Sequence, residues 1–443
     1  MKIILVLLDG LGDRSYKVLG NRTPLQASHT PNLDRLARMG SNGLLHAALT
    51  GQCLPSETAH YLLFGCDPNL FPGRGLLEAV GYGVPFQDDD VLSLAHLSGV
   101  VWQDGVPVLS QSRKDIKGDV GEIGELYSAI TPYSSEGICF NLHRTGPNDA
   151  ILVISGPVSP HVSDCDTMMI GTPLAEVVPI TGNPEPEKSE KTARGLNRYL
   201  SYCHSILVGN DVNRNRLKKG LPAADFLAIQ RAGRRIIQES FHAKWGLKGM
   251  VIASGAIYMG LARELGFTPM KVSDGKDPGE DLRERILMAL SDTAHDFIHI
   301  HTKAPDEAAH TKKPVRKRDV IDSLDRGLDE LVEAVEQRDD LLVVVTADHS
   351  TPSSSSLIHS GEPVPVCFVG SDVRRDGVMA FDEIAAATGC LGLLRGEELM
   401  LMILNYSGRA MLVGHRLGDI ERRYVPKFYK PFQMRPQSRM SPV

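Results

Sequence analysis

Acidic and histidine side chains recur in short segments of this sequence at spacings that suit the binding of divalent metal ions. In the segment HTKAPDEAAH, Asp306 and His310 are four residues apart, so a helix would place both side chains on one face. The segment TADHS puts another Asp–His pair side by side. The candidate ligands are Asp9, Asp306, His310, Asp348, His349 and His359. This mixture of carboxylates and imidazoles suits Mn²⁺, Zn²⁺ or Co²⁺ better than Ca²⁺, which prefers oxygen ligands.

A candidate nucleophile lies in the segment LPSETAHYLLFG. Ser56 is followed by apolar residues at helical spacing, a pattern that predicts a serine at the start of a helix. A helix N-terminus attracts a phosphoryl group because its backbone amides and dipole favour negative charge. A serine hydroxyl is otherwise a weak nucleophile, and a metal ion would help to deprotonate it. The residues alone leave two interpretations of Ser56 open, a helix cap and a nucleophile for phosphoryl transfer.

Three apolar segments are expected to position these residues. The runs KIILVLLDG, DFIHIHTK and LLVVVTADHS are short and end in polar residues, which is typical of strands buried on both faces of a parallel sheet. Apolar residues at helical spacing predict a helix over roughly 315–337, between the second and third runs. Strand, helix and strand in this order predict a doubly wound α/β core. Asp9, Lys303 and Asp348 follow the three predicted strands at their carboxyl ends, where such sheets bind ligands.

The chain is expected to divide into a core, an insertion and a tail. Residues 87–215 contain short alternating segments with many glycine and proline breaks, which predict an inserted, smaller α+β cap domain. Residues 1–86 and 216–415 would then form a discontinuous metal-binding core. Residues 416–443 hold seven Lys or Arg against two acidic residues. This basic C-terminal tail is predicted either to pack loosely on the surface or to form a subunit contact.

The composition narrows the choice of partner and compartment. The 443 residues carry a net charge of −6, which argues against a nucleic acid or an anionic membrane as partner. The opening apolar run is too short for a signal peptide or a membrane span, and no later segment is long enough either. Seven cysteines lie far apart without a CxxC pair, so a disulfide framework is not expected. We therefore predict a cytoplasmic protein with no nucleic-acid or membrane partner.

Five motifs, in the same order along the chain, resemble the archaeal-type cofactor-independent (2,3-bisphosphoglycerate-independent) phosphoglycerate mutases: VLLDGLGDR, LPSETAH, GRGLLEAVGYG, HTKAPDEAAH and TADHSTP. The similarity extends over nearly the whole predicted core, including residues 246–267 and 389–409. The resemblance implies an alkaline-phosphatase-like α/β core, because the family belongs to the alkaline phosphatase superfamily. It also implies a metal-dependent phosphomutase of glycolysis, an isomerase that interconverts 2-phosphoglycerate and 3-phosphoglycerate. Two divalent metal ions (Mn, Zn, Co or Mg) would be its cofactors.

The same resemblance implies roles for individual residues. The ligands of one metal ion would be Asp9, Ser56, Asp348 and His349, and those of the other Asp306, His310 and His359. Ser56 would take up the phosphoryl group as a phosphoserine intermediate. Lys303 and Arg74 would face the phosphate of the small phosphorylated substrate.

The predicted cap departs from the family pattern in the part that would hold the rest of the substrate. The family's Asp-Thr-Asp-Pro segment appears here as residues 164–167, which keep both aspartates, Asp164 and Asp166. Family members typically carry an arginine and an asparagine near the start of the insertion, whereas residues 94–96 of this chain read Leu-Ala-His. Losing an arginine removes a bidentate partner for a carboxylate or phosphate. Basic residues that would replace it are Arg113, Lys114, Arg144 and His161.

Four functions are considered. The first is a phosphomutase acting on phosphoglycerate or a related substrate, and the second is a phosphate-ester or phosphonate hydrolase of the same superfamily. A kinase-like transferase is disfavoured because the sequence has no G-x-x-x-x-G-K-[ST] loop. A non-catalytic binding protein is disfavoured by the complete ligand set. His60, His96 and His161 are candidates for general acid–base roles, and a homo-oligomer is compatible with the sequence.

Overall fold

The computed structural model describes residues 1–434, so the last part of the predicted basic tail, residues 435–443, lies outside the described residues. Within residues 1–434 the chain forms fourteen β-strands and fourteen α-helices. The strands are β1 (Lys2–Leu8), β2 (Ser41–His46), β3 (Val91–Gln103), β4 (Val106–Gln111), β5 (Tyr133–Ser135), β6 (Ile138–Arg144), β7 (Ala150–Ser155), β8 (Phe226–Gly233), β9 (Gly249–Ala253), β10 (Thr268–Lys271), β11 (Phe297–Thr302), β12 (Leu341–Thr346), β13 (Val364–Val369) and β14 (Gly392–Arg395). The helices are α1 (Pro24–Ala27), α2 (Pro31–Met39), α3 (Ser56–Leu63), α4 (Arg74–Tyr82), α5 (Val120–Ala129), α6 (Pro186–Gly209), α7 (Asp211–Lys218), α8 (Phe241–Trp245), α9 (Ala256–Glu264), α10 (Pro278–Ser291), α11 (Ala304–His310), α12 (Pro314–Arg326), α13 (Asp329–Gln337) and α14 (Glu398–Tyr406).

The chain divides into two compact units. The first consists of Met1–Cys66, Glu239–Ile252 and the residues from Asp274 onward, and the second of Asp67–Gln238 and Ala253–Ser273. These bounds differ from the division expected from the sequence. They place residues 67–86, 216–238 and 253–273 in the second unit. The described part of the basic tail lies in the first unit.

Close packing between helices explains part of this difference. Helices α4 and α9 both belong to the second unit and lie against each other. A Cβ atom at Gly81 would stand only 1.9 Å from the backbone oxygen of Ala256, and one at Gly260 only 1.8 Å from that of Leu77. Glycine at both positions lets the two backbones approach, which no larger residue would allow. The partners are distant in sequence, so the pattern of either helix alone does not reveal this contact.

Seven strands of the large sheet lie in the first unit, in the order β9-β11-β1-β12-β13-β2-β14. Strand β1 is parallel to both β11 and β12, as the three apolar runs predict. All six residues of β11 and of β12 are buried, as expected for strands covered on both faces. Strand β13 is antiparallel to β12 and β2. The sheet is therefore mixed, with a parallel centre.

The helix predicted over residues 315–337 is two helices in the structure. Helix α12 ends at Arg326 and α13 begins at Asp329. A Cβ atom at Gly327 would stand 2.2 Å from the backbone oxygen of Gly279, so the chain is pressed against another backbone at this point. Glycine also has a low helix propensity. The apolar spacing continues across the break because both helices pack against α2 and α10, and it therefore hides the interruption.

The second unit is an α+β structure. Its sheet has the order β4-β3-β7-β6-β5, and β8 also pairs with β3. The long helix α6 packs on this sheet and buries Leu196, Tyr199 and Leu200 in one hydrophobic core with Phe140. None of the helices within residues 1–434 combines the length and the apolar character that a membrane crossing requires.

Part of the basic tail is attached to the first unit. Tyr424 forms a bridge with Ala410, and its hydroxyl donates to the backbone oxygen of Ala243 over 3.2 Å. The Lys427 ammonium pairs with Asp296 at 3.4 Å. Phe428 and Phe432 are exposed. A role of the tail in a subunit contact stays a prediction.

Candidate active site and metal centre

The ends of three central strands bring the predicted residues together in the first unit. Asp9 follows β1 directly, Lys303 follows β11, and Asp348 lies two residues after β12. Because these strands are parallel neighbours, their carboxyl ends meet at one edge of the sheet. Lys303 also precedes helix α11, which carries Asp306 in its first turn and His310 at its end, as the i, i+4 spacing predicts.

All six candidate ligands occur in one cluster. We call it the carboxylate–imidazole cluster, and its members are Asp9, Asp306, His310, Asp348, His349 and His359. Two groups of ligand atoms in it have all their members within 4.8 Å of one another, and these groups are Asp306–His310–His359 and Asp9–Asp306–His349. The rings of His349 and His359 stack with their centroids 3.8 Å apart, so the two groups adjoin. Asp306 belongs to both groups, whereas the family resemblance assigns it to one ion.

In the first group, two imidazoles face one carboxylate. The Nε2 atoms of His310 and His359 lie 3.2 and 3.5 Å from Asp306 Oδ1. His359 uses its other nitrogen, Nδ1, to donate to the backbone oxygen of Leu54 over 2.7 Å. This bond fixes the ring and leaves Nε2 to face Asp306, which is the arrangement that a metal-binding histidine uses.

The second group is oriented through Thr351. The Thr351 hydroxyl lies 2.8 Å from Asp306 Oδ1 and 3.2 Å from His349 Nδ1. A hydroxyl has only one hydrogen, and the nearer carboxylate oxygen is the stronger acceptor. Thr351 therefore donates to Asp306 and accepts from His349 Nδ1–H. In this neutral tautomer His349 Nε2 carries a lone pair instead of a hydrogen.

The lone pair on His349 Nε2 faces other atoms that also carry lone pairs. His349 Nε2 lies 3.3 Å from Asp348 Oδ2 and 3.5 Å from Asp9 Oδ1. The Ser56 hydroxyl, 3.1 Å from the same nitrogen, brings a single hydrogen to this set. Asp348 Oδ1 is already held by the backbone N–H groups of Gly10 and His349, each at 3.0 Å. So many lone pairs converging on one point fit a bound cation, and the donor types fit a divalent transition metal.

Ser56 and Lys303 lie at the edge of this cluster. Ser56 is the first residue of α3, so the predicted helix start is confirmed, and Pro55 occupies the N-cap position. Ser56 Oγ lies 3.4 Å from Asp9 Oδ1 and 3.5 Å from Lys303 Nζ. The Lys303 ammonium also pairs with Asp306 Oδ2 at 3.2 Å. A hydroxyl, an ammonium group and two carboxylates therefore share one small volume at a helix N-terminus.

The charges of the cluster shift its pKa values. Burial alone would raise the pKa of Asp9, but the Lys303 ammonium and the hydrogen bond from His301 hold it below its ordinary value. Burial likewise opposes ionisation of Asp306, yet the facing imidazoles of His310 and His359 and the Lys303 ammonium lower its pKa. Burial lowers the pKa of His349, which keeps this imidazole neutral and able to bind a metal. The two aspartates are thus carboxylates at neutral pH.

The candidate substrate residues lie in the second unit, and each is already paired there. Arg74 Nε donates to Glu78 over 2.7 Å, and Arg113 forms an ion pair of 2.7 Å with Asp149. Asp164 accepts from the backbone N–H of Arg231 over 2.6 Å. Asp166 Oδ2 lies 3.4 Å from His96 Nε2, and the pair is buried. The pKa of His96 is lowered, mainly because the residue is buried. The Asp166 carboxylate opposes this shift, and the Arg113 guanidinium adds to it.

Two histidines contact the cluster without being predicted as members of it. His301 Nε2 donates to Asp9 Oδ2 over 3.0 Å. The sequence signal for its orientation is the alternation of side chains along strand β11, which places His299 and His301 on the same face of the sheet. His60, proposed above as an acid–base candidate, donates from Nδ1 to the backbone oxygen of Ser56 over 2.8 Å. The same nitrogen lies 3.5 Å from Asp348 Oδ2. Both residues hold parts of the site in place.

Comparison with known proteins places this geometry in a family. The profile of the metalloenzyme superfamily matches residues 1–406. The 2,3-bisphosphoglycerate-independent phosphoglycerate mutase 2 of Methanocaldococcus jannaschii is 41% identical, over 96% of this chain and 98% of its own. The corresponding enzyme of Methanopyrus kandleri is 34% identical, over 92% of this chain and 97% of its own. The solved cofactor-independent phosphoglycerate mutase of Thermoplasma acidophilum is 31% identical, with a TM-score of 0.60, and the match covers 92% of this chain and 100% of that one.

These matches run through both units and through every segment of the carboxylate–imidazole cluster. The identities exceed what a shared fold alone would produce, and the aligned lengths leave little of either chain unmatched. The chain therefore belongs to the family of archaeal-type cofactor-independent phosphoglycerate mutases, within the metalloenzyme superfamily.

Proposed function

We propose that this chain is a phosphoglycerate mutase that interconverts 2-phosphoglycerate and 3-phosphoglycerate through a phosphoserine on Ser56. The observation that carries the proposal is the position of Ser56 Oγ, which lies 3.1 Å from His349 Nε2, 3.4 Å from Asp9 Oδ1 and 3.5 Å from Lys303 Nζ. The names of the relatives in Methanocaldococcus jannaschii and Methanopyrus kandleri support the choice of substrate.

Two divalent metal ions are part of this proposal. One would be held by Asp9, Ser56, Asp348 and His349, and the other by Asp306, His310 and His359. When bound, such ions favour the deprotonated serine and neutralise charge on the phosphoryl oxygens. We propose Mn²⁺ as the ion to test first, because mixed carboxylate and imidazole ligands suit it.

The residues of the chain would perform the transfer in two steps. The Ser56 hydroxyl loses its proton and its Oγ forms a bond to phosphorus, while the bond between phosphorus and the glycerate oxygen breaks and that oxygen takes up a proton, which leaves glycerate and phosphoserine. The reverse reaction at the other glycerate hydroxyl gives the isomer. The Lys303 ammonium, whose pKa stands above its ordinary value because nearby carboxylates outweigh its burial, stays charged to neutralise phosphoryl oxygens. The N-terminus of α3 adds a favourable dipole for the phosphoserine.

A mutase must also keep the glycerate bound between the two steps. We propose Arg74, Arg113, Asp164 and Asp166 as substrate-binding residues. Both arginines are partly exposed and already paired with carboxylates, so the substrate phosphate would compete with Glu78 for Arg74, and the substrate carboxylate would compete with Asp149 for Arg113. A cytoplasmic location and a place in glycolysis belong to the same proposal.

Replacement of Ser56 tests the mechanism. The Ser56→Ala variant should lose at least roughly 10³-fold in turnover, since the group that accepts the phosphoryl is gone while the rest of the cluster remains. ³¹P NMR of 3-phosphoglycerate incubated with the enzyme and Mn²⁺ would follow the appearance of 2-phosphoglycerate. Mass spectrometry of the quenched enzyme should find a phosphoryl group on the peptide with Ser56, and none in the variant.

The matched control is Ser407→Ala, which removes the hydroxyl of another buried serine of the first unit that donates only to the backbone oxygen of Leu404. It should keep wild-type turnover. Release of inorganic phosphate without the second isomer would identify a hydrolase instead of a mutase. Unchanged turnover in Ser56→Ala would contradict the phosphoserine mechanism.

A further inference from the structure

The hydroxyl of Thr351 contacts one ligand from each of the two metal ions proposed above, Asp306 and His349. It donates to Asp306 Oδ1 over 2.8 Å and accepts from His349 Nδ1 over 3.2 Å. Building on the two-metal function proposed above, we propose that Thr351 is a positioning residue that couples the two metal sites. It fixes the tautomer of His349 and the orientation of the Asp306 carboxylate with one hydroxyl.

The surroundings of Thr351 hold this hydroxyl in place. Gly10 has a φ of +65°, and a Cβ atom there would stand 2.6 Å from Thr351 Oγ1 and 2.8 Å from Asp306 Cβ. The absence of a side chain at Gly10 therefore leaves the space that the hydroxyl and Asp306 occupy. The backbone N–H of Thr351 donates to Gly12 over 2.9 Å. The buried ammonium of Lys317 donates to the backbone oxygen of Thr351 over 3.0 Å.

Loss of this hydroxyl would act on both sites at once. Valine has nearly the same shape as threonine but neither donates nor accepts a hydrogen bond. His349 Nδ1–H would then lack this acceptor in a buried position, and Asp306 Oδ1 would lose its short donor. The partners that orient metal ligands typically change metal affinity by about 10–100-fold when they are removed. Because Thr351 contacts one ligand of each of the two proposed metal ions, Asp306 of one and His349 of the other, both affinities should fall together.

Calorimetric titration of the metal-free full-length protein with Mn²⁺ tests the proposal. Thr351→Val should bind both ions at least about tenfold more weakly than wild type, whereas Thr351→Ser, which keeps the hydroxyl, should bind them as wild type does. The visible absorption of the Co²⁺-loaded protein should change in Thr351→Val and not in Thr351→Ser. The matched control is Thr346→Val, because Thr346 is fully buried and its hydroxyl donates to the backbone oxygen of Pro365 over 2.9 Å.

The outcomes separate this inference from the proposed function. Wild-type protein that takes up fewer than two ions would overturn the two-metal function. If wild type binds two ions and Thr351→Val binds them with the same affinities as Thr346→Val, the proposed role of Thr351 is overturned while the two-metal function stands. A loss confined to one of the two ions would overturn the coupling. If Thr351→Val does not fold by circular dichroism, Thr351→Ala replaces it in the same titration with the same expected loss.

Discussion

Two buried carboxylate clusters lie close together in the first unit and are neutralised in different ways. Asp13 accepts hydrogen bonds from Lys317, Ser353 and Tyr16, at 3.2, 2.5 and 2.6 Å. We call these residues and Glu383, which accepts from the backbone N–H of Asp13 over 3.1 Å, the Asp13 cluster. In the carboxylate–imidazole cluster, by contrast, ring nitrogens with lone pairs face carboxylate oxygens.

The difference separates a structural charge from a site that needs a ligand. A buried carboxylate is tolerated when protein donors and a cation surround it, as the Lys317 ammonium does for Asp13. Where imidazole lone pairs and carboxylates converge, as they do around His349, the arrangement fits a bound ion in addition to the Lys303 ammonium. Asp9 and Asp13 are four residues apart in one motif, and only their partners distinguish the two functions.

Removal of metal should affect only the carboxylate–imidazole cluster, and its effect on activity should be the largest. We expect a chelator to reduce mutase turnover to the limit of detection and Mn²⁺ to restore it. The melting temperature should also fall, because a bound ion at one hundred times its Kd stabilises the fold by about 2.7 kcal/mol. Calorimetry with and without chelator measures this change. Chelator already saturated with Mn²⁺ is the control and should have no effect. Full activity of the metal-free protein would contradict the claim that the carboxylate–imidazole cluster, unlike the Asp13 cluster, needs a bound ion.

Replacement of Lys317 should break the Asp13 cluster. Its ammonium is fully buried and donates to Gly12 and Thr351 as well as to Asp13. Lys317→Met would leave Asp13 buried without a cation, and we expect a loss of about 3–5 kcal/mol in the free energy of unfolding. Urea unfolding in the presence of chelator measures this loss without a contribution from bound metal.

Lys312→Met provides the comparison for this variant. Lys312 donates to the backbone oxygens of Pro352 and Leu357, but it is exposed and has no buried carboxylate to neutralise. Its replacement should cost about 1 kcal/mol or less. Equal losses in the two variants would show that the cation buried beside Asp13 contributes no special stability.

Replacement of Glu383 should change the free energy of unfolding by less than replacement of Lys317 does, and the change should depend on pH. Burial raises the pKa of Glu383 to about 7, so the folded protein holds a proton that the unfolded chain has already released. This stabilisation is complete below the ordinary pKa of a glutamate and is lost as the pH rises through about 7. Between pH 5 and 8, wild type should lose on the order of 3 kcal/mol relative to Glu383→Gln. Urea unfolding of both proteins across this range, with chelator present, measures the difference.

Glu362→Gln is the control for the pH dependence. Glu362 pairs with Arg14 at 2.7 Å on the surface, and its pKa is lowered because polar partners, Arg14 among them, outweigh its partial burial. The variant should keep the decline in stability that wild type shows above pH 5. Parallel curves for wild type and Glu383→Gln would contradict a protonated, buried Glu383.

Local patterns in the sequence predicted much of the core. The runs that end at Asp9, Lys303 and Asp348 are strands, because short apolar runs bounded by polar turns depend on local burial. The i, i+4 spacing placed Asp306 and His310 on helix α11. The break at Gly327 and the antiparallel β13 were not predicted, since each depends on a neighbour far away in the chain. The bounds of the second unit depend in the same way on the packing of α4 against α9.

The sequence by itself determined which residue types stand at the strand ends, because strand and helix periods follow from local covalent geometry. The five motifs, and not these periods, indicated the family and the chemistry that the resemblance implies. The tertiary structure alone decided what each of those residues contacts. It paired Asp13 with Lys317, directed His301 to Asp9, and set the Thr351 hydroxyl between His349 and Asp306. Hydrogen bonds form between atoms that folding brings within about 3 Å, and no spacing along the chain records those distances.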